Sequence, residues 1–366
     1  MPDLQLHMVS KTFHAPGTPP VAAVSNLSLT VAEKEFLVLV GPSGCGKTTT
    51  LRLIAGLETL EQGTIAVGGA PIHHLPPHQR DVGMVFQSAS LFSHLSVFEN
   101  IAFGLRLRKV GATEVAEKVR SAAAILGLDH CLSRKPDTLS GGERQRVSLG
   151  RLLVRQPRIL LLDEPLAHLE MALRDELRAE IMRMHASLGA TTVYVTHDPD
   201  EALALGDRVA ALRAGELQQI GPGQELYRHP VNRFVAQFIG TPPMLLFPGR
   251  LLHQDNGVCF AWSNGEQIPL PRDKTSLRYF AGRKVTLGLR HESLRLSSDG
   301  QFMLEARVAS VRATGPEIRC ELATAHGSFV WRTRSDPRLQ KDGLVKLEWD
   351  WKGVHFFDEE NGSTLR

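Results

Sequence analysis

The chain has 366 residues, 42% of them hydrophobic and 22% charged, with a net charge of +3. That length suggests roughly two to three domains, and the near-neutral balance excludes the electrostatic footprint of a nucleic-acid binder. No run approaches the ~18 apolar residues of a membrane span, Met1-Pro2-Asp3-Leu4 has no basic region leading into an apolar core, so no secretory signal is expected, and Cys45, Cys131, Cys259 and Cys320 are too scattered for a zinc site or disulfide framework.

Glu35 to Val40 reads as a buried strand running into a glycine-rich turn. A helix follows from Lys47 to Ala55, ended by Gly56. Ala112 to Leu126 has Val115, Val119, Ala122 and Leu126 on one helical face. Leu173, Leu177, Ile181, Met184 and Leu188 mark a second amphipathic helix. Ile159 to Leu162 and Thr192 to Val195 lack polar alternation, as strands buried on both faces of a parallel sheet do. Strands alternating with helices predict an α/β domain. Near Gly240-Thr241-Pro242-Pro243 the texture changes. Strand-like runs follow at 257–262, 284–290, 303–311, 317–322, 328–332, 344–349 and 354–357, separated by turn residues. They predict a small all-β barrel or sandwich beyond a boundary near residue 240.

Gly41-Pro42-Ser43-Gly44-Cys45-Gly46-Lys47-Thr48 fits the phosphate-binding pattern GxxxxGK[ST], with Thr49 next to it. Glycines let backbone N–H groups converge on phosphate oxygens, and the helix that follows turns its positive end toward the anion. Lys47 is placed to reach the β and γ phosphates, and Thr48 to ligate Mg²⁺. Alkylation of Cys45 is expected to block the loop. Asp163 ends an apolar run, where a carboxylate can hold the metal, and Glu164 beside it can act as general base toward water. An isolated Asp-Glu pair faces solvent more often than not; behind four apolar residues, in a chain with a P-loop, the catalytic reading wins. His197 follows the strand at 192–195 and can reach the γ-phosphate and attacking water. Gln87 follows 82–86, where its amide can ligate Mg²⁺ or orient water.

Leu139-Ser140-Gly141-Gly142-Glu143 precedes a helix bearing Arg144, Arg146 and Arg151. Ser140 fits an N-cap and Glu143 the capping-box position. Ser140, Gly141 and Gly142 would thereby present a hydroxyl and backbone N–H groups to a γ-phosphate. The P-loop already covers the triphosphate from one side, so the natural donor is a second copy in a head-to-tail dimer.

In this order the motifs resemble the ATP-binding-cassette (ABC) ATPases, and among them the subunits of bacterial ABC importers. The resemblance implies an α/β P-loop ATPase with a RecA-like core over residues 1–238, including a helical subdomain at about 88–150. Residues 239–366 would form an all-β, OB-like regulatory domain. It further implies that ATP and Mg²⁺ are bound, with Thr48, Gln87 and Asp163 at the metal and Glu164, His197 and Gln87 in hydrolysis. Phe13 stands where the family stacks an aromatic on adenine, 167–170 at its D-loop, and 91–101 at its surface for a permease's coupling helix. Implied partners are a second copy, two permease subunits and, indirectly, an extracytoplasmic substrate-binding protein. The implied location is peripheral, on the cytoplasmic face of the inner membrane.

The junction 238–244, together with 288–292 and 355–358, is similar to the carbohydrate branch of these importers, the maltose and glycerol-phosphate type. Polyamine, sulfate or iron import is the alternative within the resemblance. A soluble non-transport ABC ATPase is a more distant one, since such chains carry coiled-coil insertions, a zinc module or two cassettes. Glu143 stands where the family has Gln more often, and Ala167 and Glu170 where Ser and Asp are usual.

Overall fold

The computed structural model describes every residue except Met1, Ala89, His168, Asp255, Asn256, Asp299, Gly300, Gln301, Pro316 and Ser335, and the side chains of all of these but Pro2, Met171, Ala172 and Thr314. It divides into two compact units, Met1–Gly223 and Gln224–Arg366.

The first unit begins with β1 (Pro2–Phe13), β2 (Val21–Ala32) and β3 (Phe36–Val40), then α1 (Lys47–Ala55). Next come β4 (Gln62–Val67), β5 (Ala70–Pro71) and β6 (Val82–Val85). Three helices follow, α2 (Val97–Leu107), α3 (Ala112–Ile125) and α4 (Gly141–Leu153). The unit closes with β7 (Ile159–Asp163), α5 (Met171–Leu188), β8 (Thr191–Thr196), α6 (Pro199–Leu205), β9 (Arg208–Arg213) and β10 (Glu216–Gly221).

One sheet runs β10-β9-β3-β8-β7-β6, parallel except at the β10 edge. Every residue of β3, β7 and β8 is buried, which explains why none of them shows a solvent-facing polar alternation. An antiparallel sheet runs β2-β1-β4-β5. Leu4, Leu27 and Val31 of that sheet share one core with Leu51 and Ile54 of α1 and Leu161 and Val193 of the parallel sheet. α1 is thereby clamped on both sides, and the loop before it is held at the C-terminal edge of β3.

α2, α3 and α4 pack together as the helical subdomain. A Cβ on Gly150 would meet Ile101 at 3.1 Å and Leu126 at 3.4 Å, so the glycine sets how closely α4 approaches. Asn100, fully buried, donates to the carbonyls of Phe92, Leu95 and Ser96 and accepts from the Phe92 N–H at 2.9 Å. It fixes the segment 92–96 against α2.

In the second unit, α7 (Gly223–Arg228) and α8 (Arg233–Phe238) precede β11 (Leu245–Gln254), β12 (Gly257–Trp262), β13 (Gln267–Pro269), β14 (Lys284–Leu289) and β15 (Leu294–Leu296). Then come β16 (Leu304–Thr314), β17 (Glu317–Thr324), β18 (Gly327–Arg334), β19 (Leu344–Trp349), β20 (Val354–Asp358) and β21 (Thr364–Leu365). Two antiparallel sheets, β13-β12-β11-β14-β20-β21 and β15-β19-β16-β17-β18, enclose a core with Phe260, Leu287, Trp331, Leu347 and Phe356. This is the expected OB-like all-β architecture, a sheet pair packed face to face.

The division between the units falls earlier than the change of texture near residue 240 suggests. Arg290 accounts for this: its guanidinium donates to the carbonyls of Ile239 and Tyr227 and lies 4.0 Å over the Tyr227 ring. Asn232 also bridges to Ser363. Those contacts bind α7 and α8 to the β-rich unit despite their helical sequence.

Candidate active site

The parallel strands deliver the predicted residues to one edge of the sheet. The P-loop follows β3, Gln87 follows β6, Asp163 ends β7 and His197 follows β8. β3, β8, β7 and β6 are successive neighbours, so their C-terminal ends form a continuous rim. Ligands of open α/β sheets bind at such rims.

Two glycines are obligatory in the loop. Gly46 has φ +100, and a Cβ there would stand 2.0 Å from the Ala23 carbonyl oxygen. A Cβ on Gly41 would stand 2.3 Å from the Leu212 carbonyl oxygen. α1 opens at Lys47 without a side-chain cap, which leaves its first N–H groups for an anion. Lys47 is buried and donates to the carbonyls of Gly41 at 2.7 Å and Pro42 at 3.0 Å. Its ammonium is therefore held inside the loop's curve.

Thr48 Oγ1 donates to Asp163 Oδ1 at 2.8 Å. Burial pushes the Asp163 carboxyl above its ordinary range, while the Thr48 bond pulls it back. A hydroxyl and a carboxylate in contact are hard oxygen donors, a set that suits Mg²⁺. Glu164 follows with φ +45, a left-handed conformation costing a non-glycine residue about 1–2 kcal/mol. Its N–H donates to the Val195 carbonyl at 3.0 Å, and its Oε2 meets His197 Nδ1 at 2.9 Å. Backbone strain of this sort is a mark of a functional position.

Glu164 and His197 line a cavity of about 350 Å³ with Ser43 and Gln87. Ala167, read from the sequence as part of the D-loop, also lines it, as do Arg174 and Glu201, which sequence reading did not select. Glu201 is buried and accepts from the Tyr194 hydroxyl at 2.8 Å and from the Thr196 hydroxyl. It thereby fixes the strand end that carries His197. The usable signal lay in Asp198, which caps α6 by accepting from Asp200 N–H at 2.9 Å and so sets the turn containing Glu201.

Ser140, Gly141 and Gly142 do not line this cavity. Ser140 forms the predicted capping box: its Oγ accepts from Glu143 N–H at 3.2 Å, and Glu143 Oε2 accepts from Ser140 N–H at 2.7 Å. The Ser140 backbone bond, helped by His130 at 3.1 Å, holds the Glu143 carboxyl at about 2. Ser140 and Gly141 are exposed, and a Cβ on Gly142 would press into Leu173 at 2.5 Å. Phe13 is 41% exposed at the end of β1, with Lys11 Nζ 5.2 Å from its ring centre. In the D-loop, His168 lies outside the described residues; the Leu169 carbonyl accepts from Arg174 Nε at 2.8 Å.

The profile of the ABC transporter family matches residues 24–167. The trehalose/maltose import ATP-binding protein MalK of Thermococcus litoralis is 42% identical over 94% of this chain and 96% of its own. The sn-glycerol-3-phosphate import ATP-binding protein UgpC of Escherichia coli K12 is 39% identical over the full length of both chains. This chain belongs to the ABC transporter ATP-binding proteins. Among solved structures, the dimeric ATP-binding cassette MJ0796 bound to ADP and Pi matches with a TM-score of 0.55 and 28% identity. That match covers 60% of this chain and 98% of the other. The fold of its ABC unit is therefore the cassette fold, and the β-rich unit is the additional part that full-length relatives share.

Proposed function

We propose that this chain is the ATP-hydrolysing subunit of a carbohydrate importer, acting on a sugar or sugar phosphate. The observation that carries the reading is the convergence of Glu164, His197, Gln87 and Ser43 on one cavity beside the Thr48–Asp163 pair. The full-length similarity to import ATP-binding proteins for trehalose/maltose and for glycerol phosphate supports the substrate class.

In this reading Gly41 to Thr49 hold the triphosphate, Lys47 neutralises it and Phe13 stacks on the base. Thr48, Asp163 and Gln87 would hold Mg²⁺, which supplies charge neutralisation between the phosphates. Glu164 accepts a proton from the attacking water, and His197 orients both the carboxylate and that water. Catalysis is then positioning and charge stabilisation. Ser140 to Gly142 serve the nucleotide of a second copy in a head-to-tail dimer; the exposure of Ser140 and Gly141 and the separation of all three from this chain's own cavity support that role. A groove lined by Phe86, Phe103, Gly104, Arg151 and Arg155 flanks the segment 91–101 and suits a permease's coupling helix. Among the described residues no helix is long and apolar enough to cross a membrane, so the permease subunits would supply the transport path.

The test is affinity capture of the tagged chain from gently solubilised native membranes, with mass spectrometry of what accompanies it. Polytopic permease subunits that respond to a sugar are expected. Capture of ribosomal or DNA-repair proteins without a permease would overturn the proposal.

A further inference from the structure

β16, β17 and β18 meet in a register that sets Arg312 opposite Arg319, and Arg319 opposite Arg332. Directly opposed residues share one face of a sheet, and like charges in that relationship repel. The other face of β17 is the core, with Ile318, Cys320 and Leu322 buried. All three arginines line one cavity of about 700 Å³, within the range of small-molecule sites. Arg332 pairs with Glu317. Arg312 and Arg319 have neither an ion-pair nor a hydrogen-bonding partner for their guanidinium groups among the described residues.

The rest of the lining is not another set of charges. Met244, Leu245 and Val330 give it an apolar part. Glu321, the acidic member, stands opposite Ser310 and accepts from its hydroxyl at 3.3 Å. His291 is fixed between the Pro243 carbonyl, 3.0 Å from Nε2, and the Arg332 N–H, 3.1 Å from Nδ1, so the wall behind Arg332 is rigid.

We propose that this cavity binds a small organic phosphate. Arg312 and Arg319 would fork onto its phosphate oxygens, as guanidinium groups do. Glu321 and Ser310 would take hydroxyl groups, and the apolar wall would cover carbon. A bound dianion removes the repulsion that the cross-strand register builds in. The cavity lies wholly within the β-rich unit, so its failure would leave the importer reading intact.

The test uses the full chain with excess ADP, which keeps probes out of the P-loop. Glucose 6-phosphate and fructose 1,6-bisphosphate are titrated by calorimetry, with glucose and inorganic phosphate as separate arms. At least one sugar phosphate is expected to bind, glucose is not, and binding should weaken as salt is raised. The double variant Arg312→Ala with Arg319→Ala should weaken it at least ~10-fold, as expected on losing charge-assisted bonds. ATP hydrolysis without probe should be unchanged, and the melting temperature equal or higher, which certifies the fold. Absence of binding by both sugar phosphates, or binding that survives the double substitution, would overturn the site. Equal affinity for inorganic phosphate would overturn its organic character.

Discussion

Thr48 Oγ1 donates to Asp163 Oδ1 at 2.8 Å, joining the first turn of α1 to the end of β7. The bond opposes the burial that raises the Asp163 carboxyl above its ordinary range. Replacing Thr48 by Val removes the hydroxyl and keeps the shape. We expect the Mg²⁺ concentration needed for half-maximal hydrolysis to rise at least ~10-fold, a typical cost of losing a group that orients a metal ligand. Magnesium titration of steady-state ATPase activity measures this; an unchanged midpoint would place the metal elsewhere.

Glu164 is held by a left-handed backbone and by His197. Glu164→Gln preserves the size and hydrogen bonding but cannot take a proton. Turnover should fall ~10²–10⁴-fold, the usual worth of a general base, while ATP affinity stays close to that of the parent chain. His197→Ala should fall less in turnover at fixed ATP affinity, since it acts on water and Glu164 together. Hydrolysis by Glu164→Gln at the parental rate would be incompatible with the assigned base.

Much of this site was legible because its chemistry rests on local sequence. The glycines of the P-loop, the apolar run ending in Asp163 and the Ser140–Glu143 capping box each occupy a few consecutive residues. What escaped depends on residues distant in sequence. Arg290 reaches back across the chain to Tyr227 and Ile239, and so moves the unit boundary. β11 escaped because Pro248-Gly249 interrupts it, and proline argues against a central strand. In the fold Pro248 pairs with Thr286 of β14, while pairing with β12 starts only at Gly249, so the missing N–H is needed on neither side. β13, β15 and β21 are too short to carry a period of two.

Alkylation of Cys45 is expected to block the loop, and the setting of the thiol makes that reaction slow. The thiol is 3% exposed, and burial pushes it above its ordinary value even though Lys47 pulls it down. The reactive thiolate is therefore scarce and shielded. A maleimide should label Cys45 more slowly than a free cysteine in solution at the same pH, and ATP should slow it further. Mass spectrometry of labelled peptides over time gives the rates. Labelling as fast as that of a free thiol would contradict the burial of Cys45 beside Lys47, and a rate indifferent to ATP would contradict the proposed nucleotide site.

His355 gives the β-rich unit an acid-sensitive element. It stacks on Phe357 with ring centres 6.2 Å apart, and burial lowers its imidazole to about 4, with the Arg290 and Lys274 charges adding to the effect. In the unfolded chain the same group titrates near its ordinary value of 6.5. Between those two values the unfolded chain binds the proton and the folded chain does not, so unfolding gains as pH falls. The stability present above about pH 6.5 is lost progressively down to about pH 4. His291 is also lowered, by burial, and contributes with the same sign. His355→Phe keeps an aromatic on Phe357 and removes the titration. Its melting temperature should drop less between about pH 7 and about pH 4.5 than that of the parent chain, with the part due to His291 remaining. Melting curves of both proteins across that range decide it; parallel losses would mean that His355 is protonated equally easily in the folded and unfolded states.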